Sequence, residues 1–331
     1  RRRSASTGPW RKTNYPAVDG AHDVMPDTMV EPRGISMKTS LETNDLSQYH
    51  DEIKRLHLES NALDLDLNGY TVVEDVLDPD LTARGLEATL STFGERTGKR
   101  PDVKTGEGYD GYSVQRYLLL KDPAYEEIVM AEKVLALVDY LLESKDSILS
   151  TVTGHIRGQG KNEALKTGFL PLHGDDPMPN PLGHNSVTVN ICLTDVKESG
   201  CLAFVPGSHK WVRQPLGKEK VLDGDDANPD AVPVVAPAGS ALIWPSQTWH
   251  GSWEAEEPGL RVTMAVLYSR PTIQTYELYR ESVPDEMLER NSPRFATLVG
   301  MDTWDGWNDN QDDWAKPWGQ RDRSRYKPSV G

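Results

Sequence analysis

The chain has 331 residues, enough to bury a sizeable core, and its 36 basic and 51 acidic residues give a formal charge of −15. That balance disfavours nucleic acid and anionic membrane surfaces as partners, because both reward clustered Lys and Arg. No apolar stretch approaches the ~20 residues of a membrane span, and no hydrophobic secretion segment opens the chain, so a soluble, cytoplasmic protein is expected.

Residues 1–43 are polar, with Pro9, Pro16, Pro26 and Pro32, and read as an extended arm. Asp45 to Ser60 sets Leu46, Tyr49, Ile53 and Leu56 at helical spacing, with Asp45 favouring the N-terminus. Gly69 to Pro79 is a short β segment, followed by a helical run from Leu81 to Phe93. Lys99 to Tyr112 is rich in Gly and charge, as expected of a loop over one mouth of a barrel. Val114 to Leu120 is predicted to be a strand carrying Arg116 towards a cosubstrate, a substrate or a salt bridge. Pro123 then opens a long helical pattern through Ile128, Leu135, Val138 and Leu142. Ile148 to Ile156 is the next strand, ending near His155 and Arg157, which face a pocket or serve structure.

Leu172-His173-Gly174-Asp175 reads as a strand whose alternation puts His173 and Asp175 on one face. Val187 to Thr194 alternates apolar and small polar residues, so one face packs and the other lines a polar cavity. Glu198 to Lys210 contains a turn, a strand and a Pro-Gly stop. Cys192 and Cys201 flank the 194–199 connection, where a hairpin would oppose them across two strands. That geometry suits a disulfide poorly, so two buried thiols are expected. Trp211 to Pro229 is a charged insertion, and Ala236 to Ser240 a tight turn before Ala241–Trp244. His250 sits between that run and Arg261–Tyr268, in which Arg261 and Thr263 share one face while Val262, Met264 and Val266 share the other. Tyr276 to Arg290 is predicted to be helical. The stretch from Met301 holds Trp304, Trp307, Trp314 and Trp318 among Asp and Asn; such residues fasten a tail to a groove, a subunit or a pocket mouth.

Two imidazoles and a carboxylate leave the other positions on a metal open, the ligand set of non-haem Fe(II) oxygenases. A guanidinium such as that of Arg261 is a natural bidentate partner for a substrate or cosubstrate acid. The residues alone leave two alternatives: a cupin-like metalloenzyme without a cosubstrate acid, and a non-catalytic module that keeps the metal for structure or ligand sensing.

His173-Gly174-Asp175, Gly200-Cys201-Leu202, Pro206-Gly207-Ser208-His209-Lys210, Ala238-Gly239-Ser240, His250-Gly251-Ser252 and Arg261-Val262-Thr263 occur in an order and spacing that narrows the choice. The segment from about Leu170 to Pro271 resembles the phytanoyl-CoA dioxygenase family of Fe(II)/2-oxoglutarate oxygenases. The resemblance implies a mainly β fold with flanking helices, the double-stranded β-helix or jelly roll that cupins also use. It implies iron on His173, Asp175 and His250, with Arg261 and Thr263 at the distal carboxylate of 2-oxoglutarate and Asn190 near its other end. Gly174 departs from the glutamine that relatives often place there to reach the cosubstrate, so that contact is absent or supplied elsewhere. The expected cofactors are Fe(II), 2-oxoglutarate and O2. Asp175 stands where halogenating relatives have a small residue, so hydroxylation of an unactivated C–H bond is the expected outcome. The acidic balance favours a small-molecule metabolite over an acyl-CoA. Loops 99–112, 161–169 and 211–229 are expected to shape substrate choice. The expected organisation is an arm (1–43), one catalytic domain (44–300) and a Trp-rich tail (301–331), with the terminal segments available for homo-oligomer contacts.

Overall fold

The computed structural model describes residues 46–109, 111, 114–159 and 168–301. The expected arm, Asp45, the tail beyond Met301, most of the 161–169 loop and any subunit contact through the termini lie outside them.

In chain order the elements are Ser47–Arg55 (α1), Glu59–Asn68 (α2), Thr71–Val73 (β1), Pro79–Thr97 (α3), Val114–Gln115 (β2), Pro123–Val129 (α4), Glu132–Leu142 (α5), Ile148–Gly158 (β3), Leu170–His173 (β4) and Ser186–Cys192 (β5). There follow Leu202–Phe204 (β6), Val232–Val234 (β7), Ala241–Pro245 (β8), His250–Ser252 (β9), Leu260–Ser269 (β10), Tyr279–Ser282 (α6), Asp285–Arg290 (α7) and Pro293–Leu298 (α8). The strands form two antiparallel sheets, ordered β1-β8-β5-β10-β3-β2 and β4-β9-β6-β7. This is the expected jelly roll with flanking helices.

Alternation along the strands divides the larger sheet into two faces. Val152 and Ile156 on β3, Val187, Val189 and Ile191 on β5, and Val262, Met264 and Val266 on β10 are buried in one apolar core with Val134, Leu137, Val138 and Leu141 of α5. The intervening residues point the other way. His155, Thr263 and Cys192 stand in register across β3, β10 and β5, as do Thr153, Ala265 and Asn190 one pleat further on. A second, smaller core of Leu202, Phe204, Leu242 and Trp244, with Cys192 and Cys201, fills the space between the sheets at one end.

The helix expected over 45–60 is two: α1 ends at Arg55, and α2 begins at Glu59 after His57 turns the chain at φ 57°. Gly69 ends α2 at φ 77°, and a Cβ there would come within 2.2 Å of the His209 ring, so conformation and space both require glycine. The helix expected from Leu81 starts earlier, at Pro79, where the Asp78 carboxylate accepts the Leu81 N–H.

The strand expected over 114–120 stops at Gln115. Tyr117 adopts φ 57°, donates its N–H to the buried Glu277 carboxylate, and turns Leu118 and Leu119 into the core as a 3-10 turn. The same carboxylate accepts the Val152 N–H and the Tyr279 O–H, tying β2 to β3. The helix opened by Pro123 breaks after Val129, whose carbonyl accepts the Tyr268 hydroxyl at 2.8 Å, and resumes as α5. Tyr276 to Arg290 is not one helix but α6 and α7, separated by Val283 and Pro284. Cys192 and Cys201 are free and buried as expected, but they do not sit on a hairpin: β5 and β6 belong to different sheets.

Candidate active site

The open space between the sheets is a cavity of about 400 Å³. Its wall is the inner face of the strands: Thr151, Thr153 and His155 of β3, Thr188 and Asn190 of β5, Trp244 of β8, and Arg261, Thr263 and Ala265 of β10. From the smaller sheet come His173 at the end of β4 and His250 and Ser252 on β9. Strand parity thus sends every second residue to the cavity side.

His173 and His250 are direct partners across β4 and β9, with ring centroids 4.4 Å apart. Asp175 is not on the strand as expected, since β4 ends at His173. The carboxylate still arrives between the rings: Oδ1 is 3.6 Å from His173 Nε2 and Oδ2 is 3.5 Å from His250 Nε2. One donor atom from each of the three residues lies within 4.8 Å of the others. Ligands about 2.0–2.2 Å from a metal and at right angles stand about 3 Å apart, so small adjustments close this set on an ion. Each imidazole is already oriented for it. Backbone carbonyls of Pro171 and Thr248 lie 2.9 and 3.0 Å from Nδ1 of His173 and His250, which leaves Nε2 as the free ligand atom.

Electrostatics favour a neutral His250 beside an ionised Asp175. Burial holds His250 well below the ordinary histidine range, against the pull of Asp175. For Asp175, burial pushes upward, but the two histidines and the Thr188 hydroxyl outweigh it and keep the carboxyl below its usual value. Its side chain retains 28% exposure, all the same within a concave wall. Neutral imidazoles with an ionised carboxylate are what a divalent cation needs. His155 is likewise held down, to about 4, by burial and then by Arg261.

Two supports for Asp175 escaped the sequence reading. Thr188 Oγ1 donates to Asp175 Oδ2 at 2.7 Å and lies 2.9 Å from Ser246 Oγ, so a hydroxyl pair fixes the carboxylate. Gln214, inside the charged insertion, accepts the Gly174 N–H at 2.9 Å and donates to the carbonyls of Gly174 at 3.0 Å and Asp176 at 2.7 Å. Its amide thus clamps the turn that carries Asp175. A Cβ on Gly174 would stand 3.1 Å from Gln214 Nε2 and 3.3 Å from the Gln247 carbonyl, which accounts for a small residue there. An alternation signal could have found Thr188; nothing in the sequence marked Gln214. Asp176 and His184, which follow Asp175 in the sequence, take no part in the cluster. Asp176 accepts from Asn185 and the Met178 N–H, while the His184 ring neighbours that of His209.

Arg261, Thr263, Asn190 and Arg116 all line the cavity. Arg261 donates to the Gly200 carbonyl, and burial followed by Arg157 lowers its pKa to about 10, so it is still a cation at neutral pH. Buried polar atoms on this wall have no partner among the described residues: Arg261 Nε, Thr263 Oγ1, Ser252 Oγ, Asn190 Oδ1 and Trp244 Nε1. Native proteins satisfy such groups, so this clustering is the mark of a polar ligand's seat. Of the two residues left open at the end of β3, His155 faces this cavity and Arg157 a neighbouring one. Among the described residues, neither the 99–112 loop nor the 211–229 insertion lines it, contrary to expectation. The insertion instead supplies Gln214.

An antiparallel jelly roll with a His, Asp, His cluster and a buried arginine in one cavity defines a class of metal-dependent oxygenase scaffolds. The chain belongs to the phytanoyl-CoA dioxygenase (PhyH) family, which it matches over residues 65–261. An uncharacterized protein of Mycobacterium tuberculosis is 26% identical over 246 residues, 71% of this chain and 84% of that protein. The crystal structure of HygX from Streptomyces hygroscopicus with nickel and 2-oxoglutarate bound superposes with a TM-score of 0.52 at 18% identity, covering 66% of this chain and 89% of that one. That likeness establishes the fold. The epimerase SnoN from nogalamycin biosynthesis, in complex with Fe3+ and alpha ketoglutarate, gives a TM-score of 0.49 at 21% identity over 72% and 91% of the two chains. No helix among the described residues is long and apolar enough to cross a membrane.

Proposed function

We propose that this protein is an Fe(II)/2-oxoglutarate-dependent dioxygenase that hydroxylates a small-molecule metabolite at an unactivated C–H bond, with residues 44–300 as its catalytic domain. The observation that carries the reading is the coexistence, in one cavity, of a three-ligand cluster and unpartnered donors around Arg261. A purely structural metal would need no such carboxylate clamp.

His173, Asp175 and His250 would hold the iron. Arg261 and Thr263, with Ser252 beside them, would receive the distal carboxylate of 2-oxoglutarate by charge-assisted hydrogen bonds. Asn190 would meet the opposite end of the cosubstrate, and Arg116 would stand over the cosubstrate or the substrate. Bound together, Fe(II), O2 and 2-oxoglutarate supply an oxidant able to take hydrogen from an unactivated C–H bond. The balance is R–H, O2 and 2-oxoglutarate in, R–OH, succinate and CO2 out. The chain's own part is positioning, tuning of the ligands and exclusion of side reactions. A cavity of about 400 Å³ lies at the small end of the ligand-site range, which suits the cosubstrate with a compact metabolite. Asp175 as a ligand leaves halide no vacated position, which supports hydroxylation over halogenation.

The test is turnover of 2-oxoglutarate to succinate by purified protein with Fe(II), slow alone and faster with a substrate drawn from metabolite pools. Asp175→Gly should keep the fold and lose most of that turnover. Absence of 2-oxoglutarate binding in an anaerobic Fe(II) titration, or chlorinated product from the unaltered protein, would overturn the assignment.

A further inference from the structure

A second cavity, of about 350 Å³, shares Arg261 as a wall with the first but contains none of the three clustered ligands. Four cations line it: Lys104 from the loop before β2, Arg157 on β3, Lys197 on the β5–β6 connection, and Arg261. Two carboxylates, Asp195 and Glu257, are also present. Among the described residues none of the six joins an ion pair; Asp195 instead accepts the Ala238 N–H. In a chain with 51 acids to 36 bases, a cavity with twice as many cations as carboxylates runs against the overall charge.

The strongest element is the arginine pair. Arg157 and Arg261 stand directly opposite each other across β3 and β10, and like charges in that relation destabilise a sheet. Among the described residues neither guanidinium is hydrogen-bonded to a carboxylate. Arg157 donates to the Gly168 carbonyl at 2.6 Å and Arg261 to the Gly200 carbonyl, while Glu254 acts on Arg157 only as a nearby charge. Arg261 Nε is buried without a partner among the described residues. A cosubstrate carboxylate in the first cavity would meet Arg261 and leave Arg157, Lys104 and Lys197 with no ion-pair partner among the described residues.

We propose that the second cavity is a binding site for a small dianion, of the dicarboxylate or inorganic phosphate type, held by Arg157, Lys104 and Lys197 with Arg261 behind them. Even without Arg261 the cations outnumber the carboxylates there, which suits an anionic ligand, and guanidinium groups suit the planar or tetrahedral oxygens of carboxylates and phosphates. The site does not depend on the oxygenase reading, and its test uses metal-free protein.

The full chain is titrated with inorganic phosphate, and separately with malonate, against sodium chloride at matched ionic strength, with binding followed by calorimetry and melting temperature. Saturable binding is expected for at least one of the two dianions and none for chloride. The variant Lys104→Glu/Lys197→Glu, altered at two exposed positions, should bind at least about tenfold more weakly, a difference of about 1.4 kcal/mol. Lys104→Arg/Lys197→Arg should keep the affinity. Equal affinity in the double glutamate variant, or no saturable binding of either dianion, would overturn the proposal.

Discussion

Gln214 offers a sharp test of how the ligand cluster is held, because it lies outside the cluster yet makes three hydrogen bonds to the backbone around Asp175. Each such bond contributes about 0.5–1.5 kcal/mol net. Their simple sum is about 1.5–4.5 kcal/mol, and since the side chain is only half-buried, water will replace part of it. Gln214→Ala should therefore lower the stability of the metal-free protein by about 1–3 kcal/mol. The larger signature should be in metal affinity, since groups that orient ligands typically change it about 10–100-fold when removed. Gln214→Glu is the sharper variant. It keeps the shape but cannot donate to the carbonyls of Gly174 and Asp176 and sets carboxylate oxygens against them, so the turn should loosen and metal affinity should fall as in alanine. The assay is Co(II) titration followed by visible absorbance, with denaturant unfolding of the metal-free protein beside it. If Gln214→Ala binds Co(II) as tightly as the unaltered protein and unfolds at the same denaturant concentration, the amide is not what holds the turn.

Three other outcomes follow from the site. Arg261→Ala should weaken 2-oxoglutarate binding by about 1.5–3 kcal/mol, the range for hydrogen bonds to charged groups, while Co(II) affinity stays nearly intact; unchanged cosubstrate affinity would put that guanidinium outside the binding seat. Burial pushes the Cys192 thiol up to about 12 and raises that of Cys201, so neither should react with iodoacetamide in the native protein and both should react after denaturation; a single disulfide found by mass would contradict this. Burial, aided by Arg261 for His155 and by His209 for His184, holds both side chains near 4. The unfolded chain therefore takes up protons between about pH 6.5 and 4 that the native protein refuses, so stability of the metal-free protein should fall as pH drops through that window, and His155→Gln should flatten the fall. A stability that rises on acidification there would reverse the sign and refute the reasoning.

What the sequence by itself determined is what depends on neighbours along the chain. Alternation separated Arg261 and Thr263 from Val262, Met264 and Val266, and that division is the one between cavity wall and core in the structure. The motif order set His173, Asp175 and His250 together, and the three cluster in the structure. Local pattern failed where a distant group intervened. The buried Glu277 carboxylate bends the chain at Tyr117, the Tyr268 hydroxyl meets the break after Val129, and the assignment of β5 and β6 to separate sheets removes the supposed cysteine hairpin. Only the tertiary structure showed that Asp175 lies beyond its strand and is held by Thr188 and Gln214, 13 and about 40 residues away. The physical reason is that a side-chain hydrogen bond depends on proximity in space and leaves no period in the chain, whereas burial of a strand face repeats every second residue and is written along it.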